Sequence, residues 1–177
     1  MGFQRSQLDI RCRIDKMLQR PRNPHIIQRM LAQEKRDPDP NYQIFLPDPS
    51  NLLEIHFSVH GPQGTLYEGG IYHGLIMLDP DHPFKPPHIQ MLTPSGRFET
   101  HKNICFSFTA YHPETWSPAC KLRDIIIGLS SMFDATKEVG LGFIQNPNPS
   151  DVVECREKSR TYQCTQCSAN HSLLSSQ

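Results

Sequence analysis

Four short apolar runs follow one another between Tyr42 and Leu92, and none of the stretches between them carries a helical pattern. The runs are Tyr42 to Leu46, Leu53 to Val59, Ile71 to Leu78 and Ile89 to Leu92. In the second, Leu53, Ile55, Phe57 and Val59 alternate with more polar neighbours, the period of two expected of a half-buried strand. Gly61-Pro62, Gly69-Gly70 and the proline cluster from Pro80 to Pro87 punctuate the runs as turns and loops. Parallel neighbours need a long crossover, usually a helix, so the pattern argues against a doubly wound parallel sheet and predicts a four-stranded antiparallel meander.

Helical spacing lies on both sides of the meander. Ile26, Ile27, Met30 and Leu31 share one face of a helix over Ile26 to Lys35, which Pro38 and Pro40 stop. After Leu92 comes a long irregular segment carrying Cys105 and Trp116, then an apolar core helix from Leu122 to Phe133. A polar helix is predicted over Ser150 to Tyr162, with Ser150 as its N-cap. The fold class is therefore α+β, a meander flanked by an N-terminal helix and C-terminal helices.

A chain of 177 residues suits one domain with short extensions. The domain is expected over 23–163, after a basic extension at 1–22 and before a polar, cysteine-containing tail at 164–177. The extension has helix-like apolar spacing at Ile10, Ile14, Met17 and Leu18, and is read as solvated chain rather than as a docking element. Lys plus Arg and Asp plus Glu balance at 18 each, which gives no reason to expect nucleic acid or an anionic membrane as partner. The N-terminus lacks the apolar run of a secretory signal, and no window approaches a membrane span. A cytosolic setting is expected, with the six cysteines as free thiols.

Cys105 sits in Asn103-Ile104-Cys105-Phe106-Ser107, and a cysteine between apolar neighbours is more often buried filler than nucleophile. Its wider setting changes that reading. A Tyr-Glu-Gly-Gly turn, then His82-Pro83-Phe84-Lys85-Pro86-Pro87, Ile104-Cys105 and Trp116-Ser117-Pro118-Ala119 follow in an order that resembles the ubiquitin-conjugating enzyme family over about residues 24 to 165. Gly69 to Gly74, Gly96-Arg97-Phe98-Glu99, His112-Pro113-Glu114-Thr115-Trp116 and the end from Lys158 through Cys164-x-x-Cys167 are similar to its J class. That class is tail-anchored in the endoplasmic reticulum and serves protein quality control.

The resemblance implies the ubiquitin-conjugating fold and a two-step acyl transfer. Cys105 would take ubiquitin as a thioester from the activating enzyme and pass it, with a RING-type ligase, to a substrate Lys or to Ser and Thr hydroxyls. ATP would be used upstream, so no cofactor is expected here, and no Gly-rich phosphate loop is present. The ligase would dock on the first helix, on Phe84, and on Pro118 and Ala119 beside Trp116, which is read as scaffold. Without an anchor in this polar C-terminus, the chain is expected in the cytosol, or on the cytosolic face of the endoplasmic reticulum if the full-length protein carries one.

One position departs from the family pattern. Where most members have an Asn that serves the active site, this chain has Ser95, in Thr93-Pro94-Ser95. Its hydroxyl can donate to a developing oxyanion, or serve as an ordinary turn serine before Gly96. Asn103 is a second candidate donor, although an exposed loop role is favoured. His112, and less so Glu114, are candidates for handling the acceptor's proton. Ser95 keeps open an alternative in which the chain is a catalytically weak ubiquitin-binding scaffold. Cys155, Cys164, Cys167 and His171 make an incomplete zinc pattern, so no metal is expected and the tail cysteines are read as free.

Overall fold

The computed structural model describes residues 20–135 and 140–174. Cys12 and most of the basic extension at 1–22 lie outside the described residues. Four antiparallel strands form one sheet in sequence order: β1 Tyr42–Phe45, β2 Glu54–His60, β3 Ile71–Met77 and β4 His88–Met91. The predicted meander is thus present.

Helix α1, Pro24–Arg36, starts with its proline in the first turn, where no backbone N–H is needed, and buries Ile27 and Leu31. Helix α2, Leu122–Ser131, buries Leu122, Ile125, Ile126 and Leu129, one stripe at helical spacing. The Asp124 carboxylate accepts the Lys121 N–H at 2.9 Å and closes its first turn. Helix α3, Pro149–Ser159, is shorter than expected, and its N-cap is Asn148, whose side chain accepts from the Ser150 N–H. Ser150 therefore stands inside the helix. A last turn of helix, α4, spans His171–Leu174.

Strand register assigns each sheet face. Ile55, Phe57 and Val59 pair with Ile76, Gly74 and Tyr72, and Ile76 and Gly74 pair in turn with Ile89 and Met91. These residues line the main core with α1 and α2. Gly74 is required there, because a Cβ would stand 2.3 Å from the Phe57 ring.

The opposite face is not open to solvent as the alternation suggested. His56, Ser58 and His73 are 0%, 2% and 0% exposed. Segment 162–171 folds back over them: Cys164, Cys167 and Ala169 are buried with Phe45 and Tyr162 packed against them. Residues 164–171, expected in a polar tail, thus pack against this face of the sheet. Three polar residues of β2 and β3 needed a partner layer, and a segment rich in small and sulfur-bearing side chains supplies it.

Candidate active site

Cys105 follows β4 on a backbone fastened from both sides. The Ile104 N–H donates to the Ile89 carbonyl at 2.9 Å, and the Cys105 N–H donates to the Leu141 carbonyl at 3.0 Å. Ile104 and Phe106 are buried, so the thiol between them is held half-exposed at the core's edge. Gly142 lies at φ 83°, and a Cβ there would meet the Asn103 carbonyl at 2.6 Å, so the loop beside the thiol demands glycine.

Beyond Cys105 the chain turns back on itself. Thr109, fully buried, receives the Phe106 N–H at 3.2 Å and donates to the Phe106 carbonyl at 2.8 Å. The His112 N–H donates to the Thr109 carbonyl at 3.0 Å, and the Thr115 hydroxyl bridges the Ser107 and His112 carbonyls at 2.8 and 3.0 Å. These bonds return His112 to Cys105, with Nε2 3.3 Å from Sγ.

The Glu114 carboxylate stands 3.1 Å from His112 Nδ1. An ionised carboxylate only accepts, so Nδ1 donates to Glu114, and in the neutral form of the ring Nε2 then presents its lone pair to the thiol. Carboxylate, imidazole and thiol thus stand in line, an order in which a base can be oriented toward a nucleophile. Burial, followed by the Glu114 charge, pushes the Cys105 thiol above its ordinary range. Glu114 is itself held below the usual carboxylate range by its own backbone N–H and by His112.

The other sequence candidates are dispersed. Ser95 is fully buried, and its Oγ accepts the N–H groups of Arg97 at 3.1 Å and Phe98 at 3.0 Å. Both bonds use the oxygen as an acceptor within the turn. The Asn103 side chain is engaged on β4, accepting from Gln90 Nε2 at 2.8 Å and standing 3.4 Å from His88 Nδ1.

Phe84 is 68% exposed despite its aromatic ring, and Pro118 and Ala119 are exposed as well. Trp116 Nε1 donates to the Pro83 carbonyl at 2.7 Å, so one side chain ties the loop of Phe84 to that of Pro118 and Ala119.

Arg97 was quoted in the sequence only as part of a motif. It is 3% exposed, donates to the carbonyls of Met132, Ala135 and Ile144 at 3.1, 2.5 and 3.3 Å, and lies 4.8 Å over the Phe143 ring. A buried arginine signals such a fastening, although which carbonyls it gathers is set by the fold.

The model of the family described as ubiquitin-conjugating enzyme matches residues 26–161. The chain belongs to the ubiquitin-conjugating enzyme family. It resembles the J class: it is 48% identical over 111 residues to ubiquitin-conjugating enzyme E2 J2 of Homo sapiens, covering 63% of this chain and 42% of that protein. It is 38% identical over 136 residues to E2 J1 of Mus musculus, covering 77% of this chain and 42% of that protein. Similarity to ubiquitin-conjugating enzyme E2 6 of Schizosaccharomyces pombe is 47% over 116 residues, 66% of this chain and 47% of the relative. The chain thus spans about half the length of the curated relatives it matches. Among solved structures, human ubiquitin-conjugating enzyme E2 G1 matches with a TM-score of 0.57 at 27% identity, covering 64% of this chain and 95% of that one.

Proposed function

We propose that this chain accepts ubiquitin on Cys105 as a thioester from the activating enzyme and transfers it, with a RING-type ligase, to substrate side chains. The observation that carries the reading is the 3.3 Å approach of His112 Nε2 to a half-exposed Cys105 Sγ, with Glu114 behind the imidazole. In the first step the thiol proton passes to Nε2, the thiolate attacks the incoming thioester carbonyl, and the activating enzyme's cysteine leaves as a thiolate that takes up a proton, freeing Nε2 again. In the second, an acceptor nitrogen or oxygen attacks the Cys105 thioester, and the carbon–sulfur bond breaks to release the Cys105 thiolate. Nε2 beside the sulfur is in reach of the proton the acceptor loses and can return it to that thiolate. A hydroxyl depends on that base more than an amine does. The acceptor range in this reading therefore includes Ser and Thr as well as Lys.

The ligase is assigned to Phe84, Pro118 and Ala119, an exposed apolar patch whose two loops Trp116 joins. A place in endoplasmic-reticulum-associated degradation, at the cytosolic membrane face, rests on the likeness to J-class sequences. The chain's own residues supply the acid–base groups of this reaction, and no cofactor enters it.

Incubation with activating enzyme, ubiquitin and ATP tests the reading. A thiol-reducible ubiquitin adduct is expected on the native chain and absent from Cys105→Ala. If the native chain stays uncharged while a control conjugating enzyme is loaded, the chain is a scaffold of the same fold and the proposal fails.

A further inference from the structure

A second set of nucleophilic and metal-ligating side chains lies on the sheet face opposite the core. His56 and His73 come from β2 and β3, and Cys164 and Cys167 from the segment folded over them. Their ligand atoms all lie within 4.8 Å of one another, and all four residues are buried. Register explains the histidine pair: His73 stands opposite Ser58, and His56 opposite Leu75, so the two are diagonal neighbours on one face. His56 Nδ1 is 3.1 Å from His73 Nε2, Cys164 Sγ is 3.6 Å from His56 Nδ1, and Cys167 Sγ is 3.4 Å from His73 Nε2.

We infer that His56, His73, Cys164 and Cys167 form a structural zinc site that clips the C-terminal segment onto the sheet. Zinc–sulfur and zinc–nitrogen bonds of usual length place tetrahedral neighbours about 3.3 to 3.8 Å apart, which the three measured separations match or approach. Two thiolates and two neutral imidazoles cancel the ion's charge, as a fully enclosed site requires. Binding releases the two thiol protons to solvent and involves no oxidant. Four protein ligands close the coordination shell, the mark of a structural site.

The surroundings are those of a ligand set as well. Each histidine engages a second group through its other nitrogen: His56 Nε2 is 3.3 Å from Glu54 Oε1, and His73 Nδ1 is 2.9 Å from Ser58 Oγ. Such outer partners fix which ring nitrogen faces the metal. Backbone N–H groups of Gln166 and Cys167 point at the Cys164 sulfur, and that of Ala169 at Cys167. The tight loop is closed by the Cys164 N–H donating to the Ala169 carbonyl at 2.9 Å, with Ser168 at φ 61°.

This set differs from the one the sequence offered. His171 Nε2 instead contacts Ser58 Oγ at 2.9 Å, outside the cluster, and Cys155 lies on α3. The missing ligands were two strand histidines that a linear zinc motif does not contain.

Elemental analysis of the 177-residue chain, purified and dialysed against metal-free buffer, tests the inference. One zinc ion per chain is expected, retained in Cys105→Ala and lost in Cys164→Ser and in Cys167→Ser. Because a ligand variant can unfold, the native chain carries an independent test. After chelator treatment it should take up one Co²⁺ with the visible bands of a tetrahedral ion and a near-ultraviolet thiolate charge-transfer band. Glu54→Gln should bind zinc about 10-fold more weakly in competition with a chromophoric chelator. A native chain that holds no zinc and gives no thiolate band with Co²⁺ overturns the site, as does zinc that survives both cysteine substitutions. Charging of Cys105 is measured separately, so failure here leaves the thioester reading standing.

Discussion

His112 reaches the Cys105 thiol at 3.3 Å from seven residues further along the chain, because the intervening loop is bonded to itself through Thr109. Removing the imidazole should separate the two half-reactions. The activating enzyme's thioester is a reactive acyl donor, whereas a hydroxyl acceptor must lose its proton as it attacks. His112→Ala should therefore slow discharge to free Thr or Ser by about 100-fold, and discharge to Lys by less, with a smaller effect on charging. Single-turnover discharge from the preloaded chain measures this, and equal rates for native and variant toward hydroxyl acceptors would remove His112 from the mechanism.

The thiol's own titration offers a second handle. Burial first, and the Glu114 carboxylate second, hold Cys105 above the ordinary thiol range, so the thiolate fraction grows only as pH rises through that raised value. Glu114→Gln removes the negative charge while keeping a group that can accept from His112 Nδ1. The prediction is a lower apparent pKa for Cys105, seen as a shift of the alkylation rate profile with iodoacetamide toward lower pH. A shift toward higher pH would mean that Glu114 acts on the thiol chiefly through His112.

Much of the framework could be read from residue order, for a physical reason. Strand alternation, proline stops and the absence of crossover helices are local signals, and they yielded the meander and the flanking helices. The Cys105 to Trp116 loop was singled out, including His112 and Glu114, but its inward fold depends on the Thr109 and Thr115 hydroxyls, whose bonds no periodicity encodes. Sequence reasoning went furthest astray at His56 and His73. His56 read as a polar neighbour on an alternating strand and His73 only as part of the Gly69 to Gly74 motif, because the layer that buries them arrives from more than 90 residues away, at Cys164 and Cys167.

Ser95 illustrates the same limit at shorter range. Its Oγ holds the N–H groups of Arg97 and Phe98 in a fully buried turn. Ser95→Ala should leave both donors unpaired and lower stability by about 1 to 3 kcal/mol, read by urea unfolding. Discharge per folded molecule should stay near the native rate. A tenfold fall in discharge with unfolding unchanged would instead restore Ser95 as an oxyanion donor.

Phe84 tests the ligase surface with little interference from folding. Its ring is 68% exposed, while neighbouring Pro83, Pro86 and Pro87 are buried and hold the loop backbone. Truncating an exposed side chain removes few core contacts, so Phe84→Ala should change stability by no more than about 0.5 kcal/mol. At an interface, an aromatic anchor on a rigid loop contributes far more, and its loss costs about 2 kcal/mol of binding, or roughly 30-fold in affinity. Charging without ligase should be unaffected, and ligase-stimulated discharge should fall toward the unstimulated rate. Ala119→Asp, on the partner loop that Trp116 ties to Phe84, should produce the same split by placing a charge in the apolar patch. If both variants retain full ligase stimulation across cognate RING domains, the docking surface lies elsewhere on the molecule.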